Sequence, residues 1–257
     1  MIISIIIPCY NHGRFLLEAL ESVETAKGEF PCEVIIVNDG STEQLTKEVL
    51  ADVEKRGYRV IHQYNQGLAA ARNNAIKAAK GKYILPLDTD NKLHRNYFES
   101  IDVLEKNSSV DVVYGNPILF GDEKGLKEVG DFEIEKLLHC NYIDACAVFR
   151  KEVWERVNGY DANMPAMGNE DWEFWWSVFF TGGMFLHLDK PCFYYRVRHD
   201  SMSFTTTKPG FAQNKQYLYA KHGEKLVNFY LERKATLDYI NNNRAKAIIK
   251  LMLGRAF

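Results

Sequence analysis

Asp88 and Asp90 stand one residue apart at the end of the apolar run Tyr83-Ile84-Leu85-Pro86-Leu87. In a strand, residues i and i+2 leave on the same face, so both carboxylates can be aimed at one point just past the strand's end. Two anions held that close repel unless a proton or a cation separates them. Hard oxygens suit Mg2+ or Mn2+, and the carboxyl ends of strands are where open α/β sheets bind ligands. Asp and Asn are also ordinary turn residues, so an acidic turn without a metal is the competing reading. Tyr10, Asn11, Asp39 and Arg72 form a second group of candidates, each just after a strand or one turn into the following helix. A ring with a carboxylate or amide beside it suits a nucleobase, since stacking needs a π-face and ring N–H groups need acceptors.

The elements that must position these residues follow from periodicity. Residues 2–7 are a nearly unbroken β-branched run, as expected of a parallel strand buried on both faces, and Pro8 stops it. Leu16, Leu20 and Val23 then mark a helix. Residues 33–38 read as a second strand, ended by Asp39-Gly40-Ser41-Thr42, where Ser41 or Thr42 can cap a helix running to about residue 55. A short strand at 58–62, an alanine-rich helix from Leu68 to Lys80 with Gly81 placed for a left-handed cap, and the strand before Asp88 complete the first half. Pro86 removes a ladder donor, so a local edge or bulge is expected there.

This alternation predicts a mostly parallel, Rossmann-like sheet flanked by helices, with the strand-end residues gathered on one rim. A helix at 94–106 and a strand at 110–114 continue it. Gly115 to Gly130 reads as an inserted loop or hairpin, and 133–138 as a short helix. Phe149 to Val157 reads as a strand end plus helix, 169–180 as an aromatic-rich helix, 185–189 and 193–197 as strands, and 211 onward as helical.

Composition excludes several classes of function. The 257 residues are 46% apolar, enough for a full core, and 32 basic against 34 acidic side chains leave a formal charge of −2, no field for nucleic acid. Cys9, Cys32, Cys140, Cys146 and Cys192 are odd in number and lack paired spacing, which argues against a disulfide framework or a zinc site and for a reducing compartment. The opening run has no basic region or cleavage site, and no apolar run is long enough to span a bilayer, so a cytoplasmic location is expected. No Gly-rich dinucleotide fingerprint or P-loop occurs.

Six segments in order carry a resemblance: Ile6-Ile7-Pro8-Cys9-Tyr10-Asn11, Val37-Asn38-Asp39-Gly40-Ser41-Thr42, Asn65 to Asn73, Asp88-Thr89-Asp90, Asn169-Glu170-Asp171-Trp172 and His199-Asp200-Ser201-Met202-Ser203. Together they resemble the family 2 glycosyltransferases, inverting enzymes of GT-A fold that use nucleotide sugars. The resemblance covers roughly residues 3–205. It implies a glycosyltransferase domain over 1–205, divided into a nucleotide-sugar half (1–115) and an acceptor half (116–205), followed by a helical extension over 206–257. It implies that Pro8, Tyr10 and Asp39 contact the base, that Asn65 and Arg72 help close the nucleotide pocket, and that Asp88 reaches the ribose or donor sugar. Asp90 would hold a divalent ion, Mn2+ or Mg2+, with His199 as a further ligand, and Asp171 would be the catalytic base. Asn38 departs from the pattern, standing where many members carry a second acid.

Each assignment has a plainer rival. Glu170 and Asp171 are simply favourable in the first turn of a helix. A lone histidine such as His199 is usually solvated or packed, Arg72 can pair with an acid on its own helix, and Tyr10 can be a core aromatic. His12, His62, His94, His139, His187 and His222 have no partner spacing and no expected chemistry. Trp172, Trp175 and Trp176 are either core or an acceptor platform, because sugar faces stack on rings. Residues 244–257 carry Arg244, Lys246, Lys250 and Arg255 among apolar side chains, which fits a helix lying on the inner face of a membrane or one packed on the domain or on a second subunit. The expected partners are therefore a nucleotide-diphosphate sugar, UDP-linked, and a glycan or lipid-linked acceptor in cell-surface polysaccharide synthesis. Two other classes stay open: a non-catalytic scaffold that binds donor or glycan, and a haloacid-dehalogenase-type phosphotransferase, against which Lys92 stands where that family places a small hydroxylated residue.

Overall fold

The computed structural model describes residues 2–199, 208–244 and 246. Four strands and three longer helices alternate from the amino terminus in the predicted way before the order loosens. β1 (Ile3–Cys9), α1 (Gly13–Lys27), β2 (Cys32–Asp39), α2 (Gln44–Lys55), β3 (Arg59–Gln63), α3 (Leu68–Ala78) and β4 (Tyr83–Pro86) form the first part. β5 (Lys92–Leu93), a 3-10 turn (Arg95–Phe98), α4 (Glu99–Lys106), β6 (Val112–Gly121) and β7 (Gly125–Leu126) follow. α5 (Ile134–His139), β8 (Val148–Arg150), α6 (Lys151–Arg156), α7 (Glu170–Phe180), β9 (Phe185–Val197) and α8 (Lys208–Asn242) complete the described elements.

The strands lie in one sheet in the order β3-β2-β1-β4-β8-β6-β9-β5, with β7 hairpinned onto β6. From β3 to β4 every pairing is parallel. Beyond β4 the sheet is mixed: β8 runs antiparallel to both β4 and β6, β9 parallel to β6, and β5 antiparallel to β9. The expectation of a mostly parallel sheet therefore holds for the first half only, because β8 enters between β4 and β6 in the reverse sense. The two strands expected at 185–189 and 193–197 are one bent strand, with register shifts opposite Gly115 and Asn116. Pro86 pairs with Ile6 of β1 and lies past the β8 ladder, which reaches only Tyr83 and Ile84.

Ile3, Ile5 and Ile7 are fully buried and share a core with Leu16, Leu20 and Val23 of α1 and with Leu85, Ile101 and Leu104. Ile6 is equally buried on the other face, and α3 packs on β1 and β2. Burial on both faces is why the run carries no polar alternation.

Two expectations about helix ends change. Gly81 is not left-handed; its hydrogen is needed because a Cβ there would stand 2.6 Å from the Ser4 backbone nitrogen. Neither Ser41 nor Thr42 caps α2. The Asn11 side chain instead holds the turn before α2 from the β1–α1 loop, its Oδ1 accepting from the Thr42 and Glu43 backbone N–H groups at 2.8 and 2.9 Å.

The chain divides into two compact units, Met1–Phe211 and Ala212–Phe257. Among the described residues no helix is long and apolar enough to cross a membrane. The amphipathic segment expected at 244–257 lies outside the described residues except for Arg244 and Lys246, as do residues 200–203 of the His199 segment.

Candidate active site

A cleft of about 1200 Å³ opens at the carboxyl ends of β1, β2 and β4 and is closed on its far side by the start of α7 and the end of β9. Pro8, Tyr10, Asp39, Asn65, Arg72, Asp88, Asp90 and Asp171 all line it. Asn11 and His199 do not. Asn11 is occupied with the turn before α2, whereas His199 is 78% exposed with Nε2 3.7 Å from Asp122 and its backbone N–H bonded to the same carboxylate.

Asp39 ends β2 almost wholly buried. Its Oδ1 accepts from the Gln63 amide at 2.7 Å and the Gln66 N–H at 2.8 Å, and its Oδ2 accepts from the Gly67 N–H at 2.9 Å. A carboxylate offers about four acceptor directions, so one on Oδ2 stays open toward a ligand N–H. Asn38, the departure from the family pattern, has a structural explanation. It accepts from the Ser41 N–H at 2.9 Å and contacts His62 Nδ1 at 3.0 Å through its Nδ2, and an acid could not supply that N–H.

The turn after β4 sends Thr89 inward, its hydroxyl bonded to the Pro8 carbonyl, and leaves Asp88 and Asp90 on the cleft. Burial, then the neighbouring Asp88 charge, pushes the Asp90 carboxyl above the usual carboxylate range, while Arg198 and His12 pull it back. The Arg198 guanidinium stands 3.6 Å from Asp90 Oδ2. Hard oxygens whose mutual repulsion a cation would relieve fit a divalent ion. Among the described residues no three His, Cys, Asp or Glu side chains are grouped to hold one alone. Such an ion would need donor phosphate oxygens to complete its shell, as Mg2+ sites built on one or two carboxylates do.

Arg72 joins this turn to the opposite wall. It is fully buried on α3 and does not pair along its own helix; it donates to Asp88 at 2.7 Å and to Glu170 of α7. Burial opposes the guanidinium charge, but Asp88 and Glu170 overcome it and hold Arg72 firmly protonated.

Asp171 follows Glu170 in the first turn of α7, after Asn169 in a left-handed conformation. Its Oδ2 accepts from the Asn141 amide at 2.9 Å and its Oδ1 from the Trp172 N–H at 2.9 Å. Burial, then Glu170, pushes its pKa up to about 6, with Arg72 and Asn141 opposing. The rest of the helix is core. Trp172, Trp175 and Trp176 are wholly buried, with indole N–H groups bonded to the Leu137 and Ile143 carbonyls, so the acceptor-platform alternative does not hold for them.

Sequence reasoning missed four cleft residues: His12, Asn141, Asp144 and Arg198. Asp144 accepts from the Cys146 N–H at 2.8 Å, and its pKa is pushed up to about 7 by burial and then by Asp88. His12, given no chemistry from spacing, lies near Asp90 and is held below its ordinary pKa by burial. Asn141 and Asp144 sit in an irregular segment without periodicity. Arg198 did have a signal, since Arg196 and Arg198 are two apart in an extended segment and so share a face.

The chain belongs to glycosyl transferase family 2, whose family model matches residues 4–188. It is 28% identical over 236 residues to the uncharacterized glycosyltransferase EpsJ of Bacillus subtilis, a match covering 85% of this chain and 67% of EpsJ. Of an uncharacterized glycosyltransferase of Rickettsia bellii, 27% identical over 209 residues and 79% of this chain, it spans only 30%. Among solved structures, Staphylococcus aureus TarS 1–349 in complex with UDP-GlcNAc superposes with a TM-score of 0.66 at 21% identity, covering 80% of this chain and 62% of that one. The Pyrobaculum calidifontis mannosyltransferase PcManGT, in complex with GDP-Man and Mn2+, gives 0.60 at 17% identity, over 86% and 64%. At these identities the two structures establish the fold, the GT-A architecture of a mixed sheet flanked by helices.

Proposed function

We propose that this chain is a metal-dependent, inverting glycosyltransferase. It moves a sugar from a nucleotide-diphosphate sugar, UDP-linked, to a hydroxyl of a glycan or lipid-linked acceptor in cell-surface polysaccharide synthesis. The observation that carries the reading is one cleft holding Asp39, Asp88 and Asp90 on the parallel rim and Asp171, with its raised pKa, on the facing helix. The neighbours bound to UDP-GlcNAc and to GDP-Man with Mn2+ support a nucleotide-sugar donor.

In this mechanism Tyr10 and Pro8 flank the base, Asp39 accepts its ring N–H through the open Oδ2 direction, and Asn65 closes the pocket from the α3 loop. Asp88, fixed by Arg72, accepts from a hydroxyl of the ribose or donor sugar. Asp90 would hold a divalent ion, which when bound supplies Lewis-acid stabilisation of negative charge on the diphosphate. The acceptor oxygen forms its bond to the anomeric carbon while the bond from that carbon to the phosphate oxygen breaks, and the electron pair leaves with the diphosphate. Asp171 takes the acceptor's proton as attack proceeds. One displacement with one base inverts the anomeric centre through an oxocarbenium-like state. A carboxylate with a pKa near 6 is ionised at neutral pH yet more basic than an ordinary aspartate, which suits that task.

The test is a thermal-shift screen of UDP, GDP, CDP and ADP with Mn2+ and with chelator, followed by donor-consumption assays. The expected result is the largest stabilisation from UDP with Mn2+ and consumption of a UDP-sugar. No stabilisation by any nucleoside diphosphate overturns the proposal.

A further inference from the structure

A cation of the chain itself stands against the Asp90 carboxylate. Arg198 leaves the end of β9 and places a guanidinium nitrogen 3.6 Å from Asp90 Oδ2, with only 13% of its side chain exposed. Its guanidinium carbon also lies 4.7 Å from the centre of the Phe15 ring on α1. A cation over an aromatic face is held electrostatically as well as by packing, so the group is presented to the cleft from a fixed platform. Arg196, beside it, is committed to structure: it bonds Glu18 and the Asp90 and Asn91 loop at 2.9 Å. Past the end of β9 at Val197, Arg198 stands toward Asp90 and His199 toward Asp122.

We propose that Arg198 is a diphosphate-binding side chain of this enzyme. The inference rests on the donor reading above and adds to it a contact that needs no metal. A diphosphate diester carries one negative charge on each phosphate and gains another on departure, and here it must approach two carboxylates, Asp88 and Asp90. One divalent ion offsets only those two carboxylates. A guanidinium supplies further positive charge and a planar fork of N–H donors that matches phosphate oxygens. The 3.6 Å separation is an ion pair longer than a hydrogen bond, so turning from Asp90 to a phosphate breaks no hydrogen bond between the two and frees the Asp90 oxygen for a cation.

Isothermal titration of UDP and UMP, with GDP and GMP as a second pair, into the full chain tests this in chelator and in Mn2+. In chelator the unmodified chain is expected to prefer the diphosphate over the monophosphate. Arg198→Gln should lower diphosphate affinity about tenfold to a hundredfold, the range of a lost charged hydrogen bond, and leave monophosphate affinity within about twofold, which also shows that the variant is folded. Arg198→Lys should recover part of the preference by keeping the charge without the fork. An Arg198→Gln chain that keeps the original diphosphate preference in chelator overturns the inference while the donor reading stands. An unmodified chain that binds none of the four nucleotides overturns both.

Discussion

The two halves of the sheet do different work and are built by different rules. From β3 to β4 the strands are parallel, β1, β2 and β3 are each followed by a helix, and every loop on the rim delivers its polar residue to the cleft by the same strand-end geometry. From β8 onward the pairings are mixed, parallel only between β6 and β9, and Asn141, Asp144 and Asp171 come from an irregular segment and the first turn of a buried aromatic helix. On the proposed reading the first half makes the nucleotide rim and the second half supplies the residue that takes the proton. Arg72 joins the two halves across the cleft, its guanidinium binding the rim at Asp88 and α7 at Glu170.

Breaking that junction should have the largest effect. Arg72→Met leaves a buried Glu170 without its cation and is expected to cost about 3–5 kcal/mol, the penalty of an uncompensated buried charge. Urea unfolding measures it, and a cost under about 1 kcal/mol would mean that the halves are held together by other contacts.

Asp171→Asn separates the halves without disturbing the rim. Turnover should fall by about a hundredfold or more, while nucleoside diphosphate affinity stays unchanged. Undiminished sugar transfer by this variant removes Asp171 as the base. In the unmodified chain, turnover should rise about tenfold per pH unit up to about pH 6 and then level, because Asp171 must be ionised to act. A rate independent of pH between 4.5 and 6, in a range where the fold persists, would contradict that assignment.

The same residue has an effect of opposite sign on stability. Its folded-state pKa of about 6 lies above the ordinary aspartate value, so the folded chain holds this proton more tightly than the unfolded chain does. Its ionisation therefore costs stability as pH rises from about 4 through about 6. Asp171→Asn should raise the melting temperature by a few degrees at pH 7.5 and by almost nothing near pH 4. A melting temperature lowered equally at both pH values would show that the amide disturbs packing instead.

The smallest effect is expected within the rim. Asn11→Ala removes the acceptor for two backbone N–H groups before α2 and should cost about 1 kcal/mol in stability. Nucleotide affinity measured on the folded protein should barely change, which distinguishes this structural role from direct donor contact.

Much of the rim was legible because the signal is local. Six ordered segments, the β-branched run of β1 and the paired acids after β4 announce strand ends, and strand ends in such sheets converge. The resemblance pointed to His199, whereas its neighbour Arg198 lines the cleft, because composition within a segment does not say which of two adjacent side chains faces inward. The reversed β8, the irregular segment carrying Asn141 and Asp144, and the turn before α2 held by Asn11 all depend on partners far along the chain.

The order of residues by itself determined the alternating first half, the burial of β1, and the set of carboxylates available at strand ends, since these follow from hydrophobic period and turn chemistry over a few residues. Only the tertiary structure decided that Arg72 bridges Asp88 and Glu170, that Asp171 acquires a raised pKa, and that Arg198 is the cation beside Asp90. Those properties are set by burial and by charge–charge distance, and neither exists until separate segments have packed together.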